Sequence, residues 1–184
     1  MEYNFNMNEF VFNLLGVNGV NKTVDKVTDV LIAVVLAVIV AFGVTGVVQW
    51  IKRKSFKKID AELRWMILPI VLVALVWFIF EKLVILNYRP YLVDGVAEPS
   101  FPSTHTMIAA GAMIVTMIAL PKYIKRRWLR ILLDILAGIL IFAIGFGRIY
   151  AGMHWTTDVL GGLIFGADIA LVYGIILKHV KEKK

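Results

Sequence analysis

Five predominantly apolar runs, at about 29–51, 65–86, 104–120, 128–146 and 157–177, account for most of this 184-residue chain. A bilayer core of ~30 Å takes roughly 20 residues of helix, so each run is a candidate membrane span, although the third is short and starts inside a polar cluster. The runs predict an all-α integral membrane protein, a helical bundle of about five transmembrane helices. Composition agrees: 60% of residues are hydrophobic and mean hydropathy is +0.80, well above that of a soluble domain of this length. Because the runs are apolar nearly all round, periodicity does not orient them. Residues 1–24 have no basic start, and 9–15 is too short to span, so a short interfacial helix is expected there rather than a cleaved leader or a sixth span. The whole of 1–184 then forms one membrane-embedded domain.

Cysteine is absent, which excludes a disulfide framework, a thiolate nucleophile and a Cys-ligated metal. The net charge of +7 invites nucleic acid or anionic lipid as partners, and its distribution decides between them. Fifteen of the 20 Lys and Arg lie in three segments, 52–64, 122–130 and 178–184. These follow spans one, three and five, and therefore share one side. They form a solvated collar without the aromatic platforms of a nucleic-acid site. Positive-inside bias puts that side in the cytoplasm and makes the protein multi-pass in the cell membrane. The other two connections, 87–103 and 147–156, then face outside.

Three polar clusters fall on that opposite face. The first is Lys82 with Arg89-Pro90, the second Pro102-Ser103-Thr104-His105, and the third Arg148, His154 and Asp158. Charged groups at the ends of membrane helices are costly to place and are seldom idle. Three cations directed at one place repel unless an anion sits among them, and Arg and Lys suit phosphate. Taken singly, each cation also fits ordinary headgroup contact. Ser103 or Thr104 can cap the third span, and the free backbone N–H groups of such an end attract anions. His154 and Asp158 are four apart, a spacing that on a helix puts imidazole and carboxylate on one face. The carboxylate would set the tautomer and leave the other ring nitrogen free to attack. A metal reading has three ligands, His105, His154 and Asp158, and the neighbouring arginines oppose it. Asp168, about 15 Å further along the last span, is expected to bond a neighbouring helix, and Gly162 with Gly166 to allow a close helix contact.

The K-x-x-x-x-x-x-R-P spacing, the P-S-T-H step and G-R-I-Y-A-G-M-H-W-T-T-D-V-L-G-G resemble the three signature motifs of the type 2 phosphatidic acid phosphatase superfamily, most closely over residues 82–162. The compact size resembles the bacterial branch that acts on undecaprenyl diphosphate or phosphatidylglycerol phosphate. Thr104 stands where the motif usually has Gly, and Gly147 where it usually has Ser. The resemblance implies catalysis by three residues: His154 as nucleophile through a phosphohistidine, Asp158 orienting it, and His105 as acid for the leaving oxygen. Lys82, Arg89, Arg148, Ser103 and Thr104 would hold the phosphate, with no metal and no cofactor. The implied activity is a lipid phosphatase or diphosphatase, with a polyprenyl (undecaprenyl) diphosphate as leading substrate. Phosphatidylglycerol phosphate and phosphatidate are the alternatives within the enzyme class. A non-catalytic lipid-binding or lipid-transport protein is the alternative outside it. Membrane lipids are the expected surroundings, nucleic acid is not a partner, and oligomeric state is left open.

Overall fold

The computed structural model describes residues 6–93 and 95–183. Residues 1–5 of the N-terminal segment, Lys184 of the basic tail and Asp94, a flanking acid with no assigned role, lie outside them. The described chain is all-α. A short helix α1 (Met7–Leu15) precedes the long α2 (Lys22–Arg53). A 3-10 turn (Phe56–Lys58) and the single-turn α3 (Ala61–Arg64) lead into α4 (Ile67–Phe78), which closes in a π turn (Ile79–Leu83). Then come α5 (Thr104–Tyr123), α6 (Arg127–Tyr150) and α7 (Thr156–Glu182). Five helical stretches are long and apolar enough to cross a membrane: 22–53, 61–83, 104–123, 127–150 and 156–182. They match the five runs read from sequence, with different ends.

The largest difference is α2. At 1.5 Å per residue its 32 residues measure roughly 48 Å, well over the ~30 Å core. It starts early because the Asn21 carboxamide accepts hydrogen bonds from the N–H groups of Thr23 and Val24 at 3.2 and 3.1 Å, capping the helix seven residues before the apolar run begins. The added turns carry Lys22, Asp25, Lys26 and Thr28, and Asp29 follows them. α1 forms where a short N-terminal helix was expected. Asn6 caps it and Gly16 ends it in the left-handed region at φ 66°. It straps the start of α7: Asn8 donates to Thr157 Oγ1 and accepts from Thr157 N–H, both at 3.1 Å.

α5 is the most enclosed of the five spans and packs along α7. A Cβ on Gly162 would meet the Ser103 carbonyl oxygen at 2.6 Å, and one on Gly166 would meet Ala110 Cβ at 2.7 Å. Only glycine at both positions lets the two backbones approach this closely. Ile32 and Val35 of α2, Ala109 and Met113 of α5, and Ala137 and Ile144 of α6 form one buried cluster. A second, of Ala61, Val115, Ala170, Tyr173 and Leu177, closes the basic end, and a third, of Phe12, Ile149 and Val159, seats α1. Asp168 does not bond a neighbouring helix: it lies on the exposed side of α7, with no hydrogen bond or ion pair to a described residue.

Candidate active site

The connection 84–103 folds back on itself, and that return builds much of the site. Ser100 N–H donates to the Asn87 carbonyl at 3.1 Å and Arg89 N–H to the Glu98 carbonyl at 3.0 Å. Tyr91 Oη donates to the Val17 carbonyl at 3.2 Å, which ties the connection to the segment between α1 and α2. Asn87, Arg89 and Ser100 are thereby brought over the start of α5. A cavity of about 350 Å³ opens there, with Arg89, Ser100, Thr104, His105, His154 and Glu81 among its lining and Ile32, Leu36 and Ile108 at its apolar side.

His154 is not helical. α6 ends at Tyr150, Gly152 turns the chain at φ 68°, and α7 starts only at Thr156. The expected one-face pairing of His154 and Asp158 on a helix therefore does not form. Their closest approach is 3.7 Å, too long for a direct hydrogen bond. Ser100 fills the gap. Its hydroxyl donates to Asp158 Oδ2 at 2.5 Å, and the same oxygen lies 3.1 Å from His154 Nδ1. A serine hydroxyl has one proton. With that proton given to the carboxylate, the oxygen can only accept from Nδ1, so Nδ1 carries the imidazole hydrogen and Nε2 carries the lone pair. Asp158, fully buried, also accepts from Asn87 Nδ2 at 2.9 Å and from Trp155 N–H at 2.9 Å, so it is held as a carboxylate by three donors. Burial holds the His154 imidazole down to about 4. The Asp158 carboxylate opposes that shift, and the positive Arg148 and Arg89 add to it. The ring is thus neutral at physiological pH.

The cations do not wait for an external anion. Arg148 Nη1 donates to Asp25 Oδ1 at 2.5 Å and to Thr28 Oγ1 at 3.1 Å. Arg89 pairs with Glu98 at 3.1 Å. His105 Nε2 lies 3.1 Å from Asp29 Oδ1. The expected repulsion among the cations is relieved by the protein's own carboxylates, a possibility that span counting leaves out. Each arginine nevertheless keeps a buried Nε without a partner among the described residues. Lys82 stands apart from this group. Its ammonium lies 3.9 Å from Glu81 and over the Trp77 ring, its side chain is 55% exposed, and it does not line the cavity.

Ser103 is the N-cap residue of α5, but its side chain caps nothing. Its hydroxyl is buried and accepts from Thr106 Oγ1 at 3.0 Å, while its N–H donates to the Asp158 carbonyl at 3.0 Å. Among the described residues no side chain competes for the first N–H groups of α5, where Thr104 and His105 face the cavity. The motif departure at Gly147 has a structural counterpart. A Cβ there would sit 2.5 Å from Thr28 Cγ2, and the Thr28 hydroxyl is the one bonded to Arg148. A hydroxyl lost from the third cluster is supplied from α2. Asn87, Ser100, Asp25, Thr28 and Asp29 were not singled out from the sequence. Ser100, two residues before the P-S-T-H step, was the most accessible of them.

The model of the PAP2 superfamily matches residues 80–181. Phosphatidylglycerophosphatase B of Bacillus subtilis is 38% identical over 101 residues, 52% of this chain and 46% of that protein. Undecaprenyl-diphosphatase BcrC of Bacillus subtilis is 32% identical over 85 residues, 46% of this chain and 37% of that protein. The chain thus aligns with less than half the length of either relative. A crystal structure of a transmembrane PAP2-type phosphatidylglycerolphosphate phosphatase from Bacillus subtilis superposes with a TM-score of 0.64 at 22% identity, over 96% of this chain and 85% of that one, and shows the shared fold.

Proposed function

The chain belongs to the PAP2 superfamily, and on that premise we propose that it is a membrane lipid phosphatase acting through a phosphohistidine on His154. The observation that carries this reading is the Asp158–Ser100–His154 chain, which leaves the Nε2 lone pair of a neutral imidazole beside the cavity. Nε2 attacks phosphorus, a P–N bond forms and the P–O bond to the leaving group breaks. His105 gives that oxygen its proton. His105 then takes a proton from water, whose oxygen attacks phosphorus and breaks the P–N bond, releasing phosphate. The spare Nε–H donor of Arg89 and the open start of α5 take the phosphate oxygens, while Arg148, held by Asp25 and Thr28 and outside the cavity lining, reaches them only if it shifts. Lys82 reaches the phosphate only if its side chain leaves Glu81 and Trp77. Charge stabilisation of this kind replaces a metal, so phosphate release is expected to persist in excess chelator. Loss of turnover in chelator, restored by a divalent ion, would favour a metal site instead.

The lipid chain has a place to lie. Leu36 and Ile108 line both the catalytic cavity and an apolar one of about 360 Å³ between α2, α4 and α5. The leading substrate is a polyprenyl diphosphate. The similarity to phosphatidylglycerophosphatase B makes phosphatidylglycerol phosphate the competing reading. Phosphate release from undecaprenyl diphosphate, phosphatidylglycerol phosphate and phosphatidate, measured side by side in detergent, ranks the three. Release from none of them leaves the lipid-binding reading. The basic collar supports a cytoplasmic basic end and an external site in the cell membrane. On intact cells an impermeant thiol reagent should label Ala97→Cys and not Lys57→Cys; the reverse pattern inverts the orientation.

A further inference from the structure

The end of α2 lies outside the stretch matched by the family model, yet it presents Asp25, Thr28 and Asp29 to the site. Their spacing of i, i+3 and i+4 puts the three side chains on one helical face. Two of them hold Arg148, and Ile32 and Leu36, further along α2, line the catalytic cavity. The face is also seated closely, since Thr28 Cγ2 occupies the space that a Cβ at position 147 would need. Resting on the phosphatase reading above, we propose that Asp29 is a positioning residue for His105, and that Asp25 and Thr28 set the seat of α2 that places it there.

The chemistry concerns which ring nitrogen works. Asp29 Oδ1 lies 3.1 Å from His105 Nε2, and a carboxylate only accepts, so the hydrogen is on Nε2. Nδ1 is then the atom left to carry the proton given to the leaving oxygen, and later to take one from water. The ring keeps Nε2–H on Asp29 throughout. The pair does not act through stability: the Asp29 side chain is 56% exposed, and ion pairs of that exposure contribute little to folding. Its effect is on orientation, as for the carboxylates that fix histidines in other sites.

Asp29→Ala should behave as a weaker His105→Ala. On an alkyl phosphate monoester such as phosphatidate, whose alkoxide cannot depart without a proton, kcat should fall by about 10–100-fold, with KM nearly unchanged. On an activated aryl phosphate, whose leaving group needs no proton, the fall should be under about 3-fold, since general-acid assistance is no longer needed. Asp29→Asn, whose carbonyl oxygen still accepts from Nε2–H, should recover most of the loss. Asp29→Ala added to His105→Ala should cost nothing further. A second handle tests the seat: Gly147→Ala should lower kcat, and Thr28→Ser, which removes the crowding methyl and keeps the hydroxyl, should restore it. An Asp29→Ala variant at wild-type kcat, an equal loss on both substrates, or additivity with His105→Ala overturns the inference while wild-type activity stands. A wild-type protein that releases no phosphate overturns the functional reading itself.

Discussion

At the site end of the bundle the Arg148 side chain is 2% exposed and Asp158 fully buried, whereas at the basic end Lys178 and Glu182 are 79% and 61% exposed. Both ends are built from the same residue types. At one end the buried charged groups meet specific partners: Arg148 meets Asp25, Arg89 meets Glu98, and Asp158 meets Ser100, Asn87 and the Trp155 N–H. At the other, most of the cations reach into solvent. Desolvating ions is costly, and a protein sustains that cost where geometry has to be maintained. The difference separates a site from a collar more clearly than the count of charges, which is larger at the collar.

The widest gap between the two ends should appear in turnover. His154→Ala removes the nucleophile and should lower turnover by about 10⁴-fold or more on any phosphate ester. His105→Ala should be severe on an alkyl phosphate monoester such as phosphatidate, which must expel an alkoxide, and milder on an activated aryl phosphate. The ratio of turnover on the two substrates for each variant assigns the roles. Rescue of His154→Ala, and not of His105→Ala, by the better leaving group exchanges them.

Within the site, the Ser100 relay can be separated from direct contact. Asp158→Asn should cost about 10²–10⁴-fold, in line with other His–carboxylate systems. Ser100→Ala should cost about 10–100-fold, because Nδ1 loses the acceptor that selects its tautomer. A silent Ser100→Ala beside a severe Asp158→Asn would mean that carboxylate and imidazole close the 3.7 Å gap themselves.

Burial sharpens the contrast through pH. A His154 held down to about 4 remains neutral across the range in which an ordinary histidine charges. Protonation removes the Nε2 lone pair, so kcat/KM should fall with acid only near pH 4. At pH 5.5 the proposed phosphatase activity should be almost full, where a nucleophile with an ordinary value near 6.5 would have lost about 10-fold. An acid limb near 6.5 would place His154 in water rather than in the buried chain with Ser100.

The elements of this comparison were unevenly legible in the sequence. The five spans, the collar and the Gly162/Gly166 contact follow from length, charge parity and small-residue spacing, which are local properties. The meeting of Arg89, His105 and His154 at one cavity also follows, because parity puts their helix ends on one face. Side-chain partnership does not. Ser100 reads as part of a polar loop until the return of 84–103 sets it between His154 and Asp158. Asp25 and Asp29 read as the polar edge of the first span, because nothing nearby in sequence connects α2 to residues 76 and 123 positions away. Lys82 was legible by spacing to Arg89, but the π turn that ends its helix leaves it outside the cavity lining.

The smallest effects belong to the collar, and they divide on burial. Lys181 Nζ lies 2.9 Å from Glu62 Oε1, and that glutamate side chain is only 4% exposed. Lys181→Ala leaves a buried carboxylate without its cation, and should lower stability by about 1–3 kcal/mol. Lys178 pairs with Glu182 one turn along α7 at 3.9 Å, with both side chains in solvent. Lys178→Ala should cost under about 0.5 kcal/mol, because exposed pairs at this spacing gain little over hydration. Thermal unfolding of the two variants in one detergent measures the difference, and phosphate release should be unchanged in both, since neither residue lies at the site end. Equal destabilisation would mean that Glu62 finds another partner or water when Lys181 is gone. A fall in turnover for Lys178→Ala would mean that the collar is coupled to catalysis, and the division between the two ends would have to be redrawn.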